Sequence, residues 1–169
     1  MEKSIVLIGM MGSGKTTVGK LLAGHLRRPF VDTDALIEER EGRPIPDIFQ
    51  RDGEGAFRAL ELKISQELSG QNGLVIACGG GLPTQEGAIR ALKGNGLVFW
   101  LDRDPGETYD GLNVSHRPLA RSGREDFIER YQGRAPIYRK WSDHMIRAGS
   151  PQEAEALIAA IICSEVSQA

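Results

Sequence analysis

Gly9-Met10-Met11-Gly12-Ser13-Gly14-Lys15-Thr16-Thr17 stands between the apolar run Ile5-Val6-Leu7-Ile8 and a segment with helical periodicity. Strand, then GxxxxGK[ST], then helix is the arrangement of a P-loop. Glycines at 9, 12 and 14 let the backbone curl so that successive N–H groups converge on a polyphosphate. The helix opening near Lys15 adds unpaired N–H groups and the positive end of its dipole. Lys15 is placed to reach the β- and γ-phosphates, and the Thr16 hydroxyl to sit on Mg²⁺. Gly12, Ser13, Gly14, Lys15, Thr16 and Thr17 are therefore expected to cradle ATP. The alternative is a ligand-free glycine turn, and the strand before it and the helix after it speak against that.

Outward from this stretch, short apolar runs alternate with longer amphipathic segments, the pattern of a parallel sheet flanked by helices. Strands are expected at Ser4–Ile8, Pro29–Asp32, Leu74–Cys78, Leu97–Leu101 and Met145–Arg147. Helices are expected at Lys15–Arg27, Ala35–Glu41, Ile45–Asp52, Gly53–Leu68, Pro83–Leu92, after Pro105, at Arg124–Trp141 with a break or kink near Gly133 and Pro136, and at Pro151–Ile162. Five strands with helices between them make a doubly wound α/β domain of the P-loop NTPase kind. With 169 residues and no internal repeat or linker, the chain reads as one domain, 1–169.

A net charge of -2 with Lys and Arg spread along the chain argues against a nucleic-acid or membrane partner. Cys78 and Cys163 lie far apart and outside any CxxC pattern, which fits a reducing compartment and neither a disulfide framework nor a structural zinc site. No signal peptide and no transmembrane stretch is read, so a cytoplasmic protein is expected. No apolar surface run demands a partner, so a monomer is expected.

Ligands of such a fold sit beyond the carboxyl ends of the strands, and three clusters fall there: the P-loop, Asp32-Thr33-Asp34, and Gly79-Gly80-Gly81. Asp32 and Asp34 alternate, and in extended chain they project to one face. One could support Mg²⁺ and the other accept a hydroxyl hydrogen bond or act as general base. Alternatively, one of them caps the helix that follows. Arg58 and Glu61 lie three residues apart on a helix, so Glu61 could hold Arg58 while Arg58 clamps a carboxylate; a solvated surface pair is the alternative. The triple glycine permits close approach of a small molecule, or is a plain tight turn. Arg117, before Pro118, could close over the phosphates or be a solvated loop arginine. Spacing alone does not orient Arg134. His25, His116 and His144 make no metal-ligand pattern. Taken together, the residues suit phosphoryl transfer to a small anionic molecule bearing a hydroxyl.

As a set, these motifs resemble the shikimate kinase family over nearly the whole chain. They stand here as Gly9 to Thr16, Asp32-Thr33-Asp34, Phe57-Arg58-Ala59-Leu60-Glu61, Gly79-Gly80-Gly81, Arg117-Pro118-Leu119 and Arg134-Ala135-Pro136-Ile137-Tyr138. The P-loop alone is unspecific; FRxxE followed by GGG is the specific part. The resemblance implies ATP-dependent phosphorylation of shikimate at its 3-hydroxyl on the nucleoside monophosphate kinase fold. It implies a substrate-binding region at about 32–61 and a lid at about 112–123. It implies Mg²⁺ at Thr16 and Asp32, and Lys15, Asp34 and Arg117 as catalytic residues. Shikimate would be held by Asp34, Arg58, Gly80 and Arg134. Gln152, in Ser150-Pro151-Gln152, would border the adenine. Two departures stand out. Glu107-Thr108-Tyr109-Asp110-Gly111 lacks an arginine that many members carry, so a second basic contact to ATP is either missing or supplied by Arg121 or His116. Ala120 also replaces a usual leucine of the lid. A gluconate kinase of the same fold and a non-catalytic nucleotide-dependent regulator are the rival readings. The first would not be expected to show FRxxE followed by GGG, and the second would not need the further binding site formed by Asp34, Arg58 and Arg134.

Overall fold

In the computed structural model, which describes residues 2–112 and 122–167, the first strand, β1, spans Ser4–Ile8 and is buried along its whole length. Its side chains alternate between two cores, Val6 and Ile8 on one face and Ile5 and Leu7 on the other. A strand covered on both faces must read as a continuous apolar run, and this one does. Next come α1 (Lys15–Leu26), β2 (Phe30–Asp32), α2 (Thr33–Glu41) and α3 (Ile45–Ser69). After these follow β3 (Val75–Ala77), a 3-10 turn at Leu82–Thr84, α4 (Glu86–Gly94) and β4 (Gly96–Leu101). The chain then runs through α5 (Pro105–Asp110), α6 (Arg124–Trp141), β5 (His144–Ile146) and α7 (Pro151–Ser167).

All strand pairs are parallel, and the five-stranded sheet has the order β2-β3-β1-β4-β5. Helices α1 and α7 cover one face, with Val18, Leu22, Ala154 and Ile158 packed on Ile5, Leu7, Val75 and Phe99. The other face carries α2, α3, α4 and α6 through Ile37, Phe57, Ile64, Ile89, Phe127 and Tyr138. Helix α1 lies especially close to the sheet: a Cβ on Gly19 would come within 2.5 Å of the Phe30 ring. The order also explains the site. β2, β3 and β1 are neighbours, so the acidic triplet, the triple glycine and the P-loop leave the sheet side by side.

Several local expectations need correction. Asp34 is not in extended chain, because α2 begins at Thr33 and places it in the first helical turn. By contrast, the two helices read at Ile45–Asp52 and Gly53–Leu68 stand as expected: α3 is two helices that meet at a kink at Gly53, with φ 85° and ψ 171°. That non-helical combination is essentially restricted to glycine, and it kinks the chain between the two helices. Helix α6 is continuous through Pro136, so of the break or kink expected there no break occurs. Proline removes one N–H and so deprives the Gln132 carbonyl of its bond four residues on, while Phe127 and Tyr138 anchor both halves in the core. Pro83–Leu92 divides into the 3-10 turn and α4, β5 begins one residue earlier than expected, and α7 continues to Ser167. The lid segment at about 112–123 lies, for positions 113–121, outside the described residues.

Candidate active site

Gly9, Gly12 and Gly14 all take positive φ, at 145°, 79° and 95°. Only glycine adopts such angles without strain, so the loop closes tightly before α1. At Gly9 the space is also absent, since a Cβ would lie 2.6 Å from the Leu101 carbonyl oxygen. Gly14 is the N-cap of α1 and makes no side-chain cap, so the first N–H groups of that helix face outward past the loop. Lys15 is buried, and its ammonium donates to the carbonyls of Gly9 (2.8 Å) and Met10 (2.7 Å). Its stem thereby holds the charge over the loop.

Asp32 caps α2 with one carboxylate oxygen and leaves the other at the P-loop. Oδ1 caps α2, accepting from the N–H groups of Asp34 (3.0 Å) and Ala35 (3.2 Å). Oδ2 accepts from the Thr16 hydroxyl at 2.7 Å. Two hard oxygen donors thus meet at the mouth of the P-loop. That donor set fits Mg²⁺, which takes one or two protein oxygens and completes its shell with water and phosphate. Among the described residues no group of three or more His, Cys, Asp or Glu forms a protein-only metal site.

Asp34 lies one turn further in. Its Oδ1 is buried without a hydrogen-bond partner among the described residues, next to Gly79. Burial, reinforced by the Asp32 carboxylate, pushes the Asp34 carboxyl up to about 6, against the pull of Lys15 and Arg58. Glu61 is fully buried on α3, and burial pushes it up to about 7 even though Arg58 lowers it. Arg58 donates from Nη1 to Glu61 Oε2 at 2.6 Å and from Nη2 to Glu54 at 3.2 Å. Gln85 adds a second donor to the same Glu61 oxygen at 2.7 Å. The Arg58–Glu61 pair is therefore not a solvated surface pair.

The glycines after β3 are shaped by what lies against them. A Cβ on Gly79 would sit 2.5 Å from Asp34 Oδ1, and one on Gly81 2.5 Å from both terminal nitrogens of Arg58. One on Gly80 would sit 3.3 Å from the Met11 N–H and 3.5 Å from Arg134 Nη1. The Gly80 carbonyl accepts from the Tyr138 hydroxyl at 2.7 Å. Tyr138 in turn packs on Trp100, with ring centroids 5.8 Å apart. Arg134 precedes Tyr138 by four residues and so occupies the same face of α6. Helical continuity, not a proline break, turns Arg134 inward. Its Nη1 is buried without a hydrogen-bond partner among the described residues, beside Gly80.

A single cavity of about 1150 Å³ is lined by Gly12, Gly14, Lys15, Thr16 and Thr17, by Asp32 and Asp34, and by Arg58, Gly80 and Arg134. Ser13 sits behind the loop, buried, with its hydroxyl beside Gly9. Gln152 lies exposed on the first turn of α7 and is not among the residues that line the cavity. Arg117, like His116 and Arg121, lies outside the described residues. The sequence reading passed over Arg103, which also lines the cavity. It lies two residues past the end of β4, the other neighbour of β1. Extending the strand-end rule to β4 would have found it. Glu38, Phe49 and Thr108, further lining residues, lie on helices and carried no motif signal.

A phosphate loop facing an acid and two arginines across one cavity, on a parallel sheet of this order, defines a P-loop kinase of small molecules. A family model described as shikimate kinase matches residues 11–165. A shikimate kinase of Sulfurihydrogenibium sp. (strain YO3AOP1) is 45% identical over 138 residues, covering 81% of this chain and 83% of that protein. The solved structure of shikimate kinase from Acinetobacter baumannii in complex with shikimate superposes with a TM-score of 0.89 at 33% identity, over 99% of this chain and 95% of that one. The chain belongs to the shikimate kinase family. A gluconokinase from Sinorhizobium meliloti 1021 shares the fold alone, at 15% identity and a TM-score of 0.54 over 99% of this chain and 97% of that one.

Proposed function

We propose that this chain transfers the γ-phosphoryl group of ATP to the 3-hydroxyl of shikimate. The observation that carries the reading is the placement of Arg58 and Arg134 on either side of Gly80 and Gly81, in the same cavity as Lys15 and the P-loop. Two guanidinium groups around a glycine backbone suit a small carboxylate, which each can grip with paired hydrogen bonds. Asp34 lies within electrostatic reach of both Lys15 and Arg58, between the phosphate end and the carboxylate end. From there it orients the acceptor hydroxyl and receives its proton. Lys15 follows the transferred group, and the N–H groups of Gly12, Ser13, Gly14, Thr16 and Thr17 hold the phosphates. Mg²⁺, held through Thr16 and Asp32, supplies charge neutralisation for the phosphates. Arg117 and Gln152 are assigned to the nucleotide by family resemblance.

On this reading residues 1–169 work as one unit, with a substrate-binding region at about 32–61 and a lid at about 112–123. Both cores share one sheet, which supports a single unit. The protein is further proposed to act as a monomer in the cytoplasm, a setting that suits Cys78 and Cys163, neither of them in a disulfide. The test is ADP release with ATP·Mg²⁺ and, in turn, shikimate, gluconate, AMP and CMP. Turnover is expected with shikimate alone; activity with gluconate or a nucleotide and none with shikimate would overturn the proposal.

A further inference from the structure

Gln85 is the N-cap residue of α4, with φ -95° and ψ 104°. A polar side chain there ordinarily turns onto the open N–H groups of its own helix. Gln85 makes no such bond. Its carboxamide reaches instead across to α3, where Nε2 donates 2.7 Å to Oε2 of Glu61. The same oxygen takes Nη1 of Arg58 at 2.6 Å. Glu61 is buried to 0% exposure, so both donors act where water does not compete. The other Glu61 oxygen, Oε1, has no hydrogen-bond partner among the described residues and lies beside Gly79. One oxygen therefore carries all the protein hydrogen bonds seen on this carboxylate, and Gln85 is one of its two donors.

We propose that Gln85 is a positioning residue for the acceptor site: by fixing Glu61 from the α4 side, it sets the direction in which Arg58 presents its guanidinium against Gly81. The geometry leaves Arg58 few other anchors. Its second ion pair is to Glu54, which is 65% exposed at its side chain and weakly restraining, whereas Glu61 is 1% exposed there. Without Gln85, the Glu61 carboxylate keeps a single donor and is free to rotate about its terminal bond, taking Arg58 with it. The acceptor's carboxylate then meets a guanidinium whose two parallel N–H groups are no longer held in register. Gln85 itself does not line the cavity, so its effect passes through Glu61 and Arg58 only. This inference rests on the proposed reaction and refines its acceptor site.

The test uses Gln85→Ser and Gln85→Glu. Serine is a preferred helix cap, so Gln85→Ser improves the local reason for this position while deleting the bond to Glu61. The new cap is expected to offset the stability lost with that bond, leaving the melting temperature within a few degrees of the wild type, while KM for shikimate rises about tenfold, in keeping with loss of a hydrogen bond to a charged group. KM for ATP and kcat are expected to change less than twofold. Gln85→Glu keeps the length but sets a second carboxylate against Glu61, and a larger rise in KM for shikimate is expected. A role confined to helix α4 would give the opposite signature, with stability moving and KM not. Values of KM for shikimate within twofold of the wild type in both variants would overturn the inference alone. Failure of the wild type to phosphorylate shikimate would overturn the proposed function, and this refinement with it.

Discussion

Gly81 and Arg58 belong together: the guanidinium occupies the space that any side chain at 81 would need. The Gly81 backbone itself is ordinary, with φ -91°, so an alanine there is not strained in its own dihedral angles. Gly81→Ala is therefore expected to keep its fold, to lower the melting temperature by loosening the buried Arg58–Glu61 pair, and to raise KM for shikimate about tenfold or more by displacing Arg58. Steady-state kinetics beside a thermal melt separate the two effects. Arg58→Ala removes the group itself and is expected to weaken shikimate far more than ATP; equal losses for both substrates would count against its role. Asp32 shows a single residue holding two duties with two oxygens, one on α2 and one on Thr16. Asp32→Ala should cost about 1 kcal/mol through the lost cap and abolish turnover, whereas Asp32→Asn keeps an accepting oxygen and should abolish turnover with stability near wild type. Urea unfolding beside an ADP-release assay checks both.

Among the elements, α3 has the most consequence. Its first half carries Phe49 to one wall of the cavity, and its second half carries Arg58 and Glu61 to another. Gly53 sets the angle between them. An alanine at φ 85° and ψ 171° is expected to cost about 1–3 kcal/mol, seen as a lower urea midpoint, and to raise KM for shikimate because the two walls no longer meet at the same angle. Helix α6 makes the converse point. Its sequence contains both Gly133 and Pro136, which suggested a break or kink, yet the helix continues because Phe127 and Tyr138 are buried on either side of them. Local propensity argued for interruption, and tertiary packing outweighed it.

Across the whole molecule, the site places two carboxyl groups where burial holds their protons more tightly than in the unfolded chain. The native state then binds more protons than the unfolded state between the ordinary carboxylate range and the raised values. Their contribution to stability is accordingly full below about pH 4 and is lost as pH rises through about 6 and 7. Relative to Glu61→Gln, which cannot titrate at that position, the wild type is expected to lose melting temperature between pH 5 and 8. Parallel melts that stay the same distance apart across that range would contradict it. Such a cost inside the core is one that a buried functional site imposes on its own fold.

Much of this architecture was legible in the chain because it is written in local chemistry. β1 announces itself as an apolar run buried on both faces, and the glycine spacing before Lys15 is required by backbone angles that other residues avoid. The pairing of Arg58 with Glu61 was likewise legible from helical spacing, whereas Gly79 to Gly81 owe their small size to the tertiary neighbours Asp34, Arg58 and Arg134. What sequence alone determined, then, was the nucleotide loop, the alternating fold and the residue types available at the strand ends. The tertiary structure decided which of them meet. The strand order β2-β3-β1 brings Asp32, Gly80 and Lys15 into one cavity, and long-range packing of α6 turns Arg134 toward it. Burial, which is a property of the assembled layers and of no single stretch, raises Asp34 and Glu61 and draws Gln85 off its own helix onto Glu61. Periodicity describes one element at a time, whereas a site is made of distances between elements.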